Sequence, residues 1–298
     1  MRLHKLILIT FALPLIIYSC SEPKKKNKNP SSGNKNLNIS ILLDLSDRID
    51  SIKYPNSTMQ FYKRDLGYIQ TIASTFSSIM LRKKVMLFDD NLRIFIEPKP
   101  MSSKVNETLN LLNNKFKPDS KDLLDRINNL DKYYVQLAEG IYKQAIVDDQ
   151  YIGSDIWNFF GSKVEDFCIK PKKDNILIII TDGYIYHKQS LFKNGNRSSY
   201  LTPQSIRDNN LITVNYKEEI LSKDFGFITE VKDLDNLRVL VLGINPSKKN
   251  KFDDKIIKTY WGKWFKEMGI KDYKITPAYL PTEMEDIIQQ FIKNPKSD

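Results

Sequence analysis

The chain has 298 residues, a formal net charge of +10, two cysteines (Cys20 and Cys168) and two histidines (His4 and His187). That length admits one large α/β domain or two small ones. So few soft ligands exclude structural zinc and leave His187 as the sole histidine that a Ser-His-Asp triad in a mature chain can use. Any metal must be held mainly by oxygen, which points to Mg²⁺, Mn²⁺ or Ca²⁺. The charge is uneven. Residues 1–37 carry Arg2, Lys5, Lys24, Lys25, Lys26, Lys28 and Lys35 against Glu22, so six of the ten positive charges precede the expected fold. What remains, without a basic helix interleaved with aromatics, argues against a nucleic-acid partner.

Residues 1–19 read as a signal peptide: a positive start at Arg2 and Lys5, then an apolar stretch over 6–17 that is short for a membrane span. It closes with Ile17-Tyr18-Ser19-Cys20, which resembles a bacterial lipobox with a bulky Tyr18. The resemblance implies that Cys20 is lipidated and becomes the first residue of the mature chain, anchored in the cell envelope. No acidic cluster follows Cys20, so the periplasmic side of the inner or outer membrane is expected rather than the cell surface. An ordinary signal peptide with an incidental cysteine is the competing reading. With Cys20 acylated, Cys168 has no partner and no disulfide is expected. Residues 20–37, rich in Lys, Asn, Ser and Pro, read as a disordered tether whose lysines suit anionic headgroups. The folded domain is expected over 38–298.

That domain opens with an apolar run over 37–45 that breaks into Asp44-Leu45-Ser46-Asp47-Arg48. This is the pattern of a buried parallel strand ending at its carboxyl tip, where ligands of open α/β sheets gather. Helical spacing follows over 61–82. Residues 85–88 read as a short strand, Asp89-Asp90-Asn91 as a turn and 92–96 as a strand closed by Pro98. Together these make a hairpin whose second member, the third strand of the chain, runs antiparallel. Residues 105–116 and 123–145 read as helices, the latter with a break near Leu130-Asp131. Gly153-Ser154-Asp155-Ile156-Trp157 opens another, N-capped by Ser154 or Asp155. The strand-tip pattern then returns in Ile176-Leu177-Ile178-Ile179-Ile180-Thr181-Asp182-Gly183.

An insertion over about 184–236 leaves that tip and carries Tyr184, Tyr186, His187, Lys188, Arg197 and Tyr200. Connections this long are functional or disordered as a rule, and this mix suits a peptide or glycan. An elaboration that touches no ligand fits equally well. A strand over 237–243 follows, then a helix over 256–268 with Ile257, Tyr260, Trp261, Trp264 and Phe265 on one core-facing side. A last strand over 273–279 contains Pro277, which suits a sheet edge, and a helix over 284–292 closes the chain.

Over about residues 38–293 this order resembles the von Willebrand factor A (vWA) family. The resemblance implies a doubly wound, mostly parallel six-stranded α/β sheet ordered 3-2-1-4-5-6, third strand antiparallel, flanked by helices. Its first and fourth strands are neighbours, about 4.8 Å apart, which would bring Asp44 and Asp182 together. Two carboxylates that close need a proton or a cation between them.

The family supplies a metal-ion-dependent adhesion site: an Asp-x-Ser-x-Ser loop, a threonine from a middle loop and an Asp after the fourth strand, with one coordination position open to a partner's carboxylate. Carried over by motif, Asp44 and Ser46 match the first two ligands and Asp182 the last, with Ser154 as candidate for the threonine. A competing alignment puts Val135 there, which cannot bind metal. Arg48 stands where the family has its second serine. It can point away and leave a site of fewer ligands, or lie between Asp44 and Asp182 and replace the cation, with Asp47 offsetting its charge. Asp47, Arg48 and Asp155 are accordingly candidate modulators.

Three functional expectations follow. The first is a non-enzymatic, membrane-anchored lipoprotein that binds a protein partner through a divalent cation, Mg²⁺ before Mn²⁺ or Ca²⁺, with Tyr184, Tyr186 and His187 at the partner. The second is a metal-free scaffold in which Arg48 neutralises the acids. The third is a metal-assisted hydrolase with its base among Asp47, Asp155 and His187.

Overall fold

A computed structural model describes residues 35–148, 154–247 and 250–294. The signal peptide, Cys20 and nearly all of the tether lie outside them, as does Gly153. Strands apolar on both faces must be covered by helices on both faces, and the main sheet is built that way. It comprises β1 (Asn36–Leu43), β2 (Asp90–Ile96), β3 (Asn113–Phe116), β4 (Lys173–Ile180), β8 (Leu237–Ile244) and β9 (Tyr273–Pro277). Their spatial order is β3-β2-β1-β4-β8-β9, with β3 antiparallel to β2 and every other pairing parallel. This numbering departs from the expected 3-2-1-4-5-6 because a second sheet interrupts the chain. Three two-residue strands, β5 (Lys193–Asn194), β6 (Arg197–Ser198) and β7 (Gly226–Phe227), form that sheet, so the eighth and ninth strands occupy the last two places of the main one.

Side-chain alternation along each strand divides the interior in two. Ile39, Ile41 and Leu43 of β1, with Ile176, Ile178 and Ile180 of β4, pack with α1 (Phe61–Met80), α4 (Leu130–Asp148) and α9 (Pro281–Lys293). Leu42, Leu177 and Ile179 face the other layer, where α5 (Ile156–Ser162) and α8 (Asp253–Glu267) bring an aromatic cluster. Tyr260, Trp261, Trp264 and Phe265 are all buried there. Gly67 on α1 lets Pro281 of α9 approach closely, since a Cβ at that position would collide with the proline ring. Among the described residues, the members of both cores run from Leu37 to Ile292. Cys168 is buried and unpaired, and burial pushes its thiol up to about 11, which makes it unreactive. Among the described residues no helix is long and apolar enough to cross a membrane.

Three sequence expectations fail between α1 and α4. Residues 85–88 form no strand: Val85–Leu87 is an exposed 3-10 turn. The segment expected as the antiparallel member of a hairpin, 92–96, is β2 and runs parallel to β1. The antiparallel strand is β3, reached through α2 (Ser103–Leu111), and it takes the end of the helix expected over 105–116. Apolar phase alone does not separate a four-residue strand from the last turn of a helix; the free edge of β2 makes that choice. The break near Leu130 is real, with α3 (Leu123–Asn128) ending before α4 starts. Pro277 lies on the edge strand β9.

Much of the insertion packs into the domain. Besides its small sheet it holds α6 (Pro203–Asp208) and α7 (Tyr216–Ser222), and Ile185, Leu201, Ile206, Leu211, Ile220 and Phe227 all join the aromatic core. Phe227 packs edge-on against Tyr260 and Trp261, and Arg197 clamps Asp224 and Glu267.

Candidate functional site

Parallel pairing of β1 with β4 sets Leu43 opposite Ile180. Asp44 is therefore one residue beyond its strand and Asp182 two beyond its own, at the same end of adjacent strands. The Asp44 amide continues the ladder by donating to the Ile180 carbonyl at 3.0 Å. Past Asp182 the chain turns at Gly183, whose φ of +97° is closed to ordinary side chains; a Cβ there would also come within 2.6 Å of Ile244. Trp261 of α8 donates its indole N–H to the Gly183 carbonyl at 2.9 Å, and the Asn245 amide donates to the Asp182 carbonyl at 2.9 Å. The tip is thus held from the β8–α8 side.

Asp44 is buried and each of its carboxylate oxygens accepts one hydrogen bond. Oδ1 accepts from the Ser46 amide at 2.8 Å and Oδ2 from the Thr181 hydroxyl at 2.7 Å. The Arg48 guanidinium lies beside it, Nε 3.7 Å from Oδ2. Arg48 is itself buried. It donates from Nη2 to Asp65 of α1 at 2.8 Å and makes longer bonds to the carbonyls of Asp44 and Ile180, each at 3.3 Å. Tyr142 of α4 donates its hydroxyl to the same Asp65 oxygen at 3.0 Å. Burial alone would lower the guanidinium's pKa, but Asp65 and Asp44 outweigh it and hold Arg48 firmly protonated. Burial raises the Asp65 carboxyl, and Arg48 works against that rise.

Asp182 differs. It is partly exposed, and its Oδ1 accepts from the Tyr184 amide at 3.0 Å. Loss of solvent first, then the charge of Asp44, pushes its carboxyl up to about 7, and Arg48 offsets only part of this. Of the carboxylates around Arg48, Asp65 is the close partner and Asp44 lies 3.7 Å away, while the Asp47 carboxylate accepts from the Tyr54 hydroxyl at 3.3 Å.

The remaining sequence candidates have different attachments. Ser46 is half-buried, and its hydroxyl makes no capping bond to the short turn Asp47–Ile49 that follows. Ser154 is buried, its amide donating to the Tyr186 carbonyl at 3.4 Å. Asp155 caps α5 by accepting from the Asn158 amide at 3.2 Å, and its other oxygen meets His187 Nδ1 at 3.0 Å. Tyr184 turns inward, donating to Asp253 and accepting from the Ser247 amide, each at 3.0 Å. Tyr186 is exposed. Val135 lies within α4. Cys20 lies outside the described residues.

At this tip the buried guanidinium of Arg48, 3.7 Å from Asp44 Oδ2, already places positive charge beside the carboxylate. Among the described residues there is no group of three or more His, Cys, Asp or Glu side chains able to hold a metal ion. Sequence reasoning missed Asp65 and Tyr142. The available signal was phase: Asp65 shares the face of α1 that carries Ile69, Ile72 and Phe76, so an acid there had to be buried and paired. Thr181 was equally legible beside Asp182 yet received no role.

No family model and no curated protein matches the sequence. Among solved structures, the chain is similar to an aerotolerance-related membrane protein from Bacteroides fragilis, at 11% identity and TM-score 0.37, over 87% of this chain and 100% of that one. A conserved hypothetical protein BatB from Bacteroides thetaiotaomicron matches at 12% identity and TM-score 0.37, over 86% and 97%. The pilus adhesin SpaC from Lactobacillus rhamnosus GG matches at 10% identity and TM-score 0.38, over 87% of this chain and 30% of that one. Likenesses this weak carry no functional weight. The strand order and register by themselves define a mixed α/β, mostly parallel six-stranded sheet, consistent with a Rossmann- or vWA-like fold.

Proposed function

We propose that this protein is a lipid-anchored binding or scaffold component of the bacterial cell envelope, whose vWA-like domain works without a metal ion. One observation carries the reading: the buried Arg48 guanidinium stands between Asp44 and Asp65 and supplies the positive charge that a cation would otherwise bring. A partner then meets the tip through the partly exposed Asp182 and the exposed Tyr186, not through a shared cation. The reading assigns no catalytic residue. Its anchor is Cys20, and replacing Cys20 with Ser is expected to move the protein from the membrane fraction to the soluble one.

The competing reading, a cation-bridged adhesion site, is favoured by Asp182, whose raised carboxyl marks a charge that Arg48 does not fully offset. Thermal unfolding after chelation, then with Mg²⁺, Mn²⁺ or Ca²⁺, separates the two. A cation that binds the folded state alone adds about 2.7 kcal/mol at a hundredfold excess over its dissociation constant. No shift is expected for the native chain. Arg48→Ser, which restores a hydroxyl and removes the guanidinium, is expected to gain a cation-dependent rise. A rise in the native chain that disappears in Asp182→Ala would replace our reading with the metal-bridged one.

A further inference from the structure

The end of the sheet opposite the site carries a feature that none of the above uses. Residues 81–87, Leu-Arg-Lys-Lys-Val-Met-Leu, connect α1 to β2. The turn is ordered by its own backbone, with the Leu87 amide bonding to the Lys84 carbonyl at 2.8 Å and the Phe88 amide to the Val85 carbonyl at 3.0 Å. Phe88 is buried and pins it. The apolar residues ahead of Phe88 are in water: Met86 is 81% exposed, Leu87 55% and Leu81 49%. Apolar side chains gathered on one tight turn differ from the singly exposed ones that any surface carries.

Their setting identifies what they meet. Arg82 and Lys84 are exposed on the same turn. Lys83 bends inward, bonding Asp90 at 2.6 Å, the Asn36 side chain at 3.2 Å and the Lys35 carbonyl at 3.4 Å. The turn therefore stands beside the point where the chain enters β1. Register places Phe116 opposite Asp90, and Lys173 reaches Asp89, so Lys117, Lys121 and Lys172 lie on adjoining loops, all exposed, against Asp119 and Asp122. A basic rim around apolar side chains is the composition of a lipid-surface contact, in which lysines and arginines meet anionic headgroups while the apolar side chains reach the acyl boundary.

We propose that the Leu81–Leu87 turn is a membrane-surface contact: Met86 and Leu87 insert at the headgroup level of an anionic bilayer, with Arg82 and Lys84 on its phosphates. In the cell this rests on the Cys20 anchor. An N-terminal anchor of this kind makes a weak contact effectively intramolecular. The contact fixes the orientation of the domain. β1 runs away from this corner for eight residues, so the Asp44–Asp182 tip stands further from the bilayer, by at most about 26 Å.

The test uses the chain from residue 20 onward carrying Cys20→Ser, so its result does not depend on lipidation of Cys20. An environment-sensitive fluorophore is placed at Met86→Cys or, at the site end, at Ile52→Cys, where the native side chain is 89% exposed; buried Cys168 stays unlabelled. Vesicles of phosphatidylethanolamine and phosphatidylglycerol are added, with the domain either free or held by an N-terminal histidine tag on a nickel-chelating lipid. On the tethered domain the label at 86 is expected to brighten severalfold and the label at 52 to stay unchanged. Arg82→Glu with Lys84→Glu, both at exposed positions, should abolish the response, as should vesicles of neutral lipid. A label at 86 that stays in water on the tethered domain overturns the proposal and leaves the turn to a protein partner. Equal brightening at 52 overturns it as non-specific adsorption. Failure of the anchor reading shows separately, as a Cys20→Ser chain that stays in the membrane fraction.

Discussion

Asp44 and Asp182 are the same residue type on adjacent parallel strands at the same end of the sheet, yet they are different chemical objects. Asp44 is buried with a hydroxyl, an amide and a guanidinium around it. Asp182 keeps some solvent and one backbone donor, and is pushed up to about 7 by lost solvation and by the charge of Asp44. Position on a strand tip therefore does not define a ligand. The helices packed beneath the tip do, because α1 and α4 bring Asp65 and Tyr142 to Arg48 and so commit it to Asp44's side.

The sharpest way to break this asymmetry is Arg48→Met, which keeps the volume and removes the charge. It leaves Asp44 and Asp65 buried and uncompensated, so a loss of about 3–5 kcal/mol is expected in urea unfolding. A loss below about 1 kcal/mol would mean that Arg48 behaves as a surface residue and that the pair is not what organises the tip. Thr181→Val should cost less, roughly 1.5–3 kcal/mol, the value of a hydrogen bond to a charged group, because the Arg48 side of Asp44 is untouched.

Asp182 gives the smallest effect and the most diagnostic one. Its folded-state carboxyl holds a proton that the unfolded chain has released, so its contribution is full below about pH 4 and lost as pH rises through about 7. Stability should therefore fall across that window, by an amount on the order of 1 kcal/mol given its partial exposure. Asp182→Asn should flatten this fall, as read from chemical unfolding midpoints at a series of pH values. An unchanged slope in the variant would place the titration on another group.

The two ends of the sheet teach a related lesson about reading sequence. The tips of β1 and β4 were legible because both strands are long apolar runs with abrupt polar ends. Residues 85–88 are also an apolar run, and they suggest a strand. The structure spends most of them on the surface, because β2 starts at Asp90, whose buried carboxylate anchors the Leu37 amide and Lys83 at the entry of β1. A run of four apolar residues does not state whether its partner is a sheet, a core or something outside the protein.

By itself the sequence determined the alternation of strands and helices, the parallel core of β1, β4 and β8, the edge position of β9, and Asp44 and Asp182 as tip residues. These follow from apolar periodicity, strand polarity and the constraint that Pro277 places on hydrogen bonding. Tertiary structure alone decided the antiparallel strand, the packing of the insertion on α8 and the partner of Arg48. Each is a choice among segments far apart in the chain, and the physical reason is common to all three. A buried charge or an open strand edge takes whichever partner the packing of the whole domain brings within reach, and for Arg48 that partner is Asp65 at 2.8 Å.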